Sequence, residues 1–183
     1  MKQEIIMAGF GGQGVMSMGK ILAYAGMSEG KEVSWMPSYG PEMRGGTANC
    51  TVVISSEKIA SPYSSGPQVL MALNLPSLNR FEEAVSAKGR LYVNSSMVER
   101  EVARQDLEVI KIPANQIAVE LGSNKIANMV MLGAYVQRED VVNMDSVKAA
   151  LPQILPARRH DLIPLNEKAL EEGQDVVVSR ETV

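Results

Sequence analysis

Short, nearly unbroken apolar runs alternate along the chain with segments of helical length. Residues 5–8 are apolar and run into glycine, the pattern of a strand buried on both faces. Residues 14–28 are small and apolar and predict a helix. Residues 33–36 predict a second strand stopped by Pro37, and the β-branched stretch 47–54 predicts a third. Further apolar runs at 69–73, 91–93 and 109–112 predict three more strands. Helices are predicted over 76–85, with Pro76 in the first turn where its missing N–H costs little, over 114–121 with Gly122 as the stop, and over the strongly apolar 126–136. Residues 146–155 and 162–171 predict two more, although Pro152 and Pro156 leave the first of these open.

Strand–helix alternation with continuously apolar strands predicts an α/β fold. We read it as a three-layer, Rossmann-like single domain over residues 1–175 with a mostly parallel sheet. The third strand follows the second with no helix between them, so the sheet has room for an antiparallel or non-neighbouring pair. Residues 176–183 are read as a C-terminal tail, in which Val176, Val177 and Val178 could add an edge strand.

Composition narrows the function classes. Apolar residues make up 45% of 183, enough for a sizeable core in one domain. A net charge of -3 argues against a nucleic-acid partner, which would want a basic face. No run is apolar and long enough to span a membrane. The N-terminus lacks the apolar stretch and cleavage site of a signal peptide, so a cytoplasmic location is expected. The single cysteine, Cys50, cannot form an intrachain disulfide or hold an iron–sulfur cluster. Its place in the third strand reads as plain packing. The single histidine, His160, has no metal-ligand cluster around it and reads as a helix-start residue rather than a base.

Two glycine-rich loops carry the candidate chemistry. Gly9, Gly11 and Gly14 have G-x-G-x-x-G spacing between a strand and a helix, with Phe10, Gly12 and Gln13 between them. Such a loop lets backbone approach a ligand and offers helix N–H groups to an anion. The same pattern can also be a tight turn that binds nothing or packs a partner chain. The second strand does not end in the acid that would hold a dinucleotide ribose, so NAD and NADP are disfavoured. No Lys-Ser or Lys-Thr follows the glycines, which excludes a Walker-type loop. The second loop packs Tyr39, Gly40, Pro41, Glu42, Met43, Arg44, Gly45 and Gly46 between two strands. Arg44 could hold a phosphate or carboxylate in its planar fork, and Glu42 could cap a neighbouring backbone or orient Arg44. Alternatively the two charges pair within a self-contained turn. If the strands before the two loops run parallel, both loops emerge at the edge where open α/β sheets bind ligands.

Asn74 and Asn94, with Ser95 and Ser96, follow strands and either line that crevice or form ordinary turns. Met16, Met18, Met129 and Met131 read as core or interface. The 126–136 helix has so little polar surface that it must be buried, in the core or against another chain. There is no nucleophile–base pair, no metal cluster and no catalytic residue to name. Any enzyme chemistry therefore lies on other chains.

The loop from Gly9 to Val15, taken with the loop from Tyr39 to Gly46, resembles the gamma subunit of the 2-oxoacid:ferredoxin oxidoreductases. The likeness is to the 2-oxoglutarate or 2-ketoisovalerate type, within the family of domain III of pyruvate:ferredoxin oxidoreductase. Ser61-Pro62, Asn74 with Pro76-Ser77, residues 117–122, 128–134 and 165–170 are similar as well, so the resemblance spans residues 3–173. It implies a complex that oxidatively decarboxylates a 2-oxoacid, forms an acyl-coenzyme A and reduces ferredoxin. It further implies thiamine diphosphate and magnesium between alpha and beta subunits. Iron–sulfur clusters would lie on beta or on a ferredoxin-like delta subunit. The gamma subunit itself would be a non-catalytic Rossmann-like domain that aids assembly and coenzyme A handling. On this reading Gly9, Gly11, Gly12, Gln13, Gly14, Tyr39, Gly40, Pro41, Glu42, Arg44, Gly45 and Gly46 form the cofactor-facing site, and no residue binds metal. Two other readings stay open: a free-standing nucleotide-binding module and a purely structural interaction subunit.

Overall fold

The computed structural model describes residues 1–40, 46–62, 64 and 66–181. Six strands form one sheet: β1 (Lys2–Phe10), β2 (Glu32–Tyr39), β3 (Thr47–Ser55), β4 (Val69–Ala72), β5 (Arg90–Asn94) and β6 (Glu108–Ile112). The sheet order is β2-β3-β1-β4-β5-β6. β1, β4, β5 and β6 pair in parallel. β3 is antiparallel to both of its neighbours, β1 and β2. The sheet is therefore mixed, and the strand that follows β2 without a helix is the one that inverts. Because β3 reverses direction twice over, β1 and β2 still point the same way.

Six α-helices flank the sheet: α1 (Val15–Ser28), α2 (Leu75–Phe81), α3 (Ala114–Glu120), α4 (Ala127–Glu139), α5 (Met144–Ile154) and α6 (Ile163–Glu181). Alternate residues of each strand face opposite layers. Ile5 and Met7 of β1 join the larger core with α1, α3, α4, α5 and α6, while Ile6 and Ala8 join a smaller core under α2. Almost all of α4 is buried, including Met129 and Met131, so the apolar 126–136 segment belongs to the core of this chain. Met18 is fully buried as well. No helix of the described residues is long and apolar enough to cross a membrane.

Several boundaries differ from the sequence expectation. β2 does not stop at Pro37 but runs on to Tyr39. It is an edge strand, where a missing N–H costs no ladder bond if it faces outward. The expected 76–85 helix ends at Phe81 and continues only as a 3-10 turn over Glu82–Ala84. Pro152 sits inside α5, near its C-terminal end. Val176, Val177 and Val178 form no edge strand, because α6 continues unbroken through them. Val177 is 4% exposed and Val176 packs on the core, while Val178 faces out. Helical spacing thus buries two of the three, which overrides their β propensity.

α1 lies directly on β2 and β3 at Gly19. A Cβ there would sit 2.4 Å from Cys50 Sγ. Cys50 is fully buried, its thiol aimed at the Val15 carbonyl at 3.7 Å. Burial pushes the thiol pKa up to about 12. Native protein at pH 8 is therefore expected to leave an aromatic disulfide reagent untouched, and guanidinium-unfolded protein to consume one equivalent per chain. Fast reaction in the folded state would contradict this packing. The unfolded thiol ionises near pH 9, so this group removes stability as pH climbs from there toward 12.

Glu82, 3% exposed, fastens the segment between β5 and β6. Its carboxylate accepts from Arg100 Nη2 at 2.6 Å and from the backbone N–H groups of Ala103 (2.6 Å) and Arg104 (3.0 Å). Burial acts to raise this carboxyl, but the three donors outweigh it and hold the pKa below the usual value of 4.5. A depressed carboxyl adds stability above its unfolded pKa and loses it as pH falls through the folded one. Glu82→Gln is expected to lower the urea midpoint at pH 7 and to flatten its decline below pH 4.5. An unchanged acid slope would show that Glu82 is not a contributor.

Candidate functional site

The inverted β3 decides where the loops emerge. Since β1, β2, β4, β5 and β6 share one direction, their C-terminal ends lie along one edge of the sheet. The β1–α1 loop, the β2–β3 loop and the ends of β4 and β5 all open there. The chain leaves β1 on the face of the larger core and leaves β4 on the face of the smaller one. The gap between β1 and β4 is thus a topological switch point, the usual place for a ligand crevice.

The two glycine loops meet. The Gly11 N–H donates to the Gly46 carbonyl at 2.8 Å, and the Gly40 N–H closes the second loop on the Thr47 carbonyl at 2.8 Å. Gly9 is buried at the end of β1, where a Cβ would meet Gln13 Oε1 and Val15 Cγ2 at 2.8 Å. It shapes the loop from beneath. Gly12 is exposed at φ 100°, with open space around it. Gly14 takes φ 77° as the N-cap of α1 and lies against Asn128, whose Nδ2 donates to the Gly14 carbonyl at 3.2 Å. A side chain at Gly14 would strike that amide at 2.5 Å. Tyr39 is 69% exposed at the end of β2. Pro41, Glu42, Arg44 and Gly45, and with them the expected pairing of Glu42 with Arg44, lie outside the described residues.

Gln13 bridges the switch point. Its Oε1 accepts from the Phe10 N–H at 2.7 Å and from Asn74 Nδ2 at 2.8 Å. Asn74 Oδ1 in turn accepts from the Ser77 N–H at 2.9 Å and caps α2. Asn94 donates to the Leu73 carbonyl at 3.1 Å and to Asn115 Oδ1 at 2.7 Å. Both asparagines are 1% exposed, so they serve as turn and cap residues, and Asn94 also lines a cleft. His160 lies in the 3-10 turn Ala157–Leu162 just before α6, exposed, with Nε2 3.0 Å from the Leu155 carbonyl.

Two clefts flank Gly12. The first, about 350 Å³, runs toward Leu73, Asn94 and Asn115; the second, about 360 Å³, runs toward α4 and α6. Lys125 borders both. Sequence reasoning missed Lys125, Asn115 and Asn128. All three follow β6 and stand at or near helix starts on the same edge, a signal available only once that edge is known.

Among the described residues no group of three or more His, Cys, Asp or Glu side chains could hold a metal ion. The single thiol is buried under α1, whereas an iron–sulfur cluster takes four ligands.

Comparison with known proteins gives the family. The sequence matches the family described as pyruvate ferredoxin/flavodoxin oxidoreductase over residues 4–176. It is 41% identical, over 94% of its length, to the ketoisovalerate oxidoreductase subunit VorA of Methanothermobacter marburgensis. The chain spans about a third (36%) of that relative's length. It is 34% identical to the 2-oxoglutarate synthase subunit KorC of the same organism, covering 97% of this chain and 98% of that one. The crystal structure of the keto/oxoacid ferredoxin oxidoreductase gamma subunit from Geobacter sulfurreducens PCA superposes with a TM-score of 0.83 at 28% identity, covering 97% of this chain and 99% of the other. With the two-loop edge, the mixed sheet and a match over nearly its whole length, the chain belongs to the pyruvate ferredoxin/flavodoxin oxidoreductase family.

Proposed function

We propose that this chain is the gamma-type subunit of a cytoplasmic 2-oxoacid:ferredoxin oxidoreductase. The complex decarboxylates 2-oxoglutarate or 2-ketoisovalerate, passes the acyl group to coenzyme A and reduces ferredoxin. Its partners are alpha and beta subunits, with a ferredoxin-like delta subunit where the clusters are separate. Thiamine diphosphate, magnesium and the iron–sulfur clusters are assigned to those partners; among the described residues no group of three or more His, Cys, Asp or Glu side chains could hold a metal ion. Here the edge formed by Gly9, Gly11, Gly12, Gln13, Gly14 and the 39–46 loop handles coenzyme A and meets the larger subunits.

One observation supports this reading most. The Gly11–Gly46 hydrogen bond joins the two loops into one surface at the C-terminal strand edge. Such a surface presents backbone groups at the edge where open α/β sheets bind ligands. The test is Arg44→Ala in the reconstituted complex. We expect a raised KM for coenzyme A with the 2-oxoacid KM unchanged, or a loss of assembly. An unchanged KM for coenzyme A together with intact assembly would defeat the role given to the loops.

A further inference from the structure

Asn74 does more than its place in the fold requires. It is the N-cap of α2, where its Oδ1 accepts from the Ser77 N–H at 2.9 Å. Aspartate caps a helix as well as asparagine does. Asparagine differs in carrying an NH2 group beside its oxygen. Asn74 uses that group: Nδ2 donates across the β1–β4 switch point to Gln13 Oε1 at 2.8 Å. At 1% exposure, Asn74 has little water to turn to instead.

The receiving amide is held by a second donor. The Phe10 N–H, which can only donate, reaches the same Oε1 at 2.7 Å. Two donors on one oxygen decide which end of the Gln13 amide points inward. Turning the amide over would set its NH2 group against both of them. Nε2 has no partner among the described residues, and it is not a buried polar atom left unpaired, so it faces the first cleft, which Gln13 lines. The side chain reaches this place by folding back over the end of β1, where only the missing Cβ of Gly9 leaves room for Oε1. The Gln13 N–H adds a backbone tie to the Phe10 carbonyl at 3.1 Å. Gly12 and Gly14, both at positive φ, give the loop little stiffness of its own, so these ties determine where it sits.

We infer that Asn74 is a positioning residue for the β1–α1 loop. Its Nδ2 locks Gln13 with the oxygen inward and the NH2 group toward the cleft. The lock ties the loop, on the face of the larger core, to the start of α2 on the face of the smaller one. Asn74 itself touches no ligand on this account and acts through Gln13. The lock is a property of this chain alone, whereas its effect on coenzyme A rests on the function proposed above.

Asn74→Asp isolates the lock from the cap. The carboxylate still accepts from the Ser77 N–H, so that amide should stay protected from hydrogen exchange. Toward Gln13 it offers only an oxygen, and neither orientation of the Gln13 amide then satisfies both the Phe10 N–H and the carboxylate. The Phe10 amide of the full chain should exchange about tenfold faster, the effect of losing one hydrogen bond. Gln13→Met should do the same, and the double variant should add little to either, because the two side chains act as one unit. An unchanged Phe10 rate in Asn74→Asp, or additive effects in the double variant, would overturn the inference and leave Asn74 a cap alone. Gln13→Glu keeps an acceptor for both donors, so Phe10 should stay protected while the Asn74 side-chain amide resonances shift downfield. Unmoved resonances would overturn the inference even if Asn74→Asp fails to fold. In the reconstituted complex Asn74→Asp should raise the KM for coenzyme A and leave kcat unchanged. Faster Phe10 exchange with an unmoved KM would uphold the lock and count against the coenzyme A reading, so the two fail separately.

Discussion

Gly133→Ala is expected to lower the melting temperature, although alanine is the better helix former. In an isolated helix the change would gain about 1 kcal/mol. Here α4 and α6 cross at backbone distance. A Cβ at Gly133 would lie 2.0 Å from the Leu170 carbonyl oxygen, and one at Gly173 would lie 2.1 Å from the Val130 carbonyl oxygen. The obstacle is backbone on both sides, so no side chain can rotate away. The helices must separate, and α4 cannot yield easily because nearly every residue of it is buried. Overpacking of a tight core costs about 1–3 kcal/mol and sometimes more, which exceeds the propensity gain. For a chain of this size each kcal/mol moves the midpoint by about 2–4 °C. A fall of about 5 °C is expected for Gly133→Ala, and a larger one for Gly133→Val. A midpoint that holds or rises would show that the two helices do not touch at this crossing.

Glu139→Ala is expected to cost still more. This carboxylate is fully buried at the end of α4 that carries the negative pole of the helix dipole, an unfavourable place for it. Four donors hold it there. Arg90 grips it in bidentate fashion, with Nε on Oε1 and Nη2 on Oε2, both at 2.6 Å. The Tyr92 hydroxyl and Gln3 Nε2 each donate at 2.6 Å. Tyr135 joins the group by donating to Gln3 Oε1 and meets Tyr92 edge-on, with ring centroids 5.7 Å apart. Removing the acceptor strands a guanidinium and a phenol together. The Arg90 side chain is 37% exposed and regains water, whereas the Tyr92 hydroxyl is left buried, so the cost falls at the lower end of the about 3–5 kcal/mol for breaking a buried pair, or roughly 10 °C in melting temperature. Glu139→Gln, which keeps the shape and loses the charge, should fall between wild type and Glu139→Ala. By contrast Lys111→Ala, which removes the exposed Lys111–Glu101 pair, should be nearly silent. Equal effects at the two sites would contradict the ranking.

Much of this was readable in the residues themselves. The apolar runs locate all six strands, because two-sided burial leaves a continuous apolar signal. The absence of a helix between residues 36 and 47 pointed to the irregular strand, and β3 is that strand. What could not be read depends on partners distant in sequence. Pro37 looks like a strand end until β2 is known to lie at the sheet edge. Val176 to Val178 look like a strand until α4 offers them a helical groove. Gln13 reads as filler between glycines, yet it holds Asn74, which only the β1–β4 pairing brings near. Lys125 and Arg159 carry no motif at all. Their meeting over one cleft follows from the placement of α4 and α6, which no local pattern encodes.

Purification of the tagged chain from the cells that make it tests the central claim most directly. The material is assayed for 2-oxoacid- and coenzyme A-dependent reduction of ferredoxin. The account predicts co-purification with larger alpha- and beta-type subunits, and activity that falls when this chain is removed and returns when it is added back. A chain recovered alone that binds NAD or FAD tightly, or a complex fully active without it, would contradict the account.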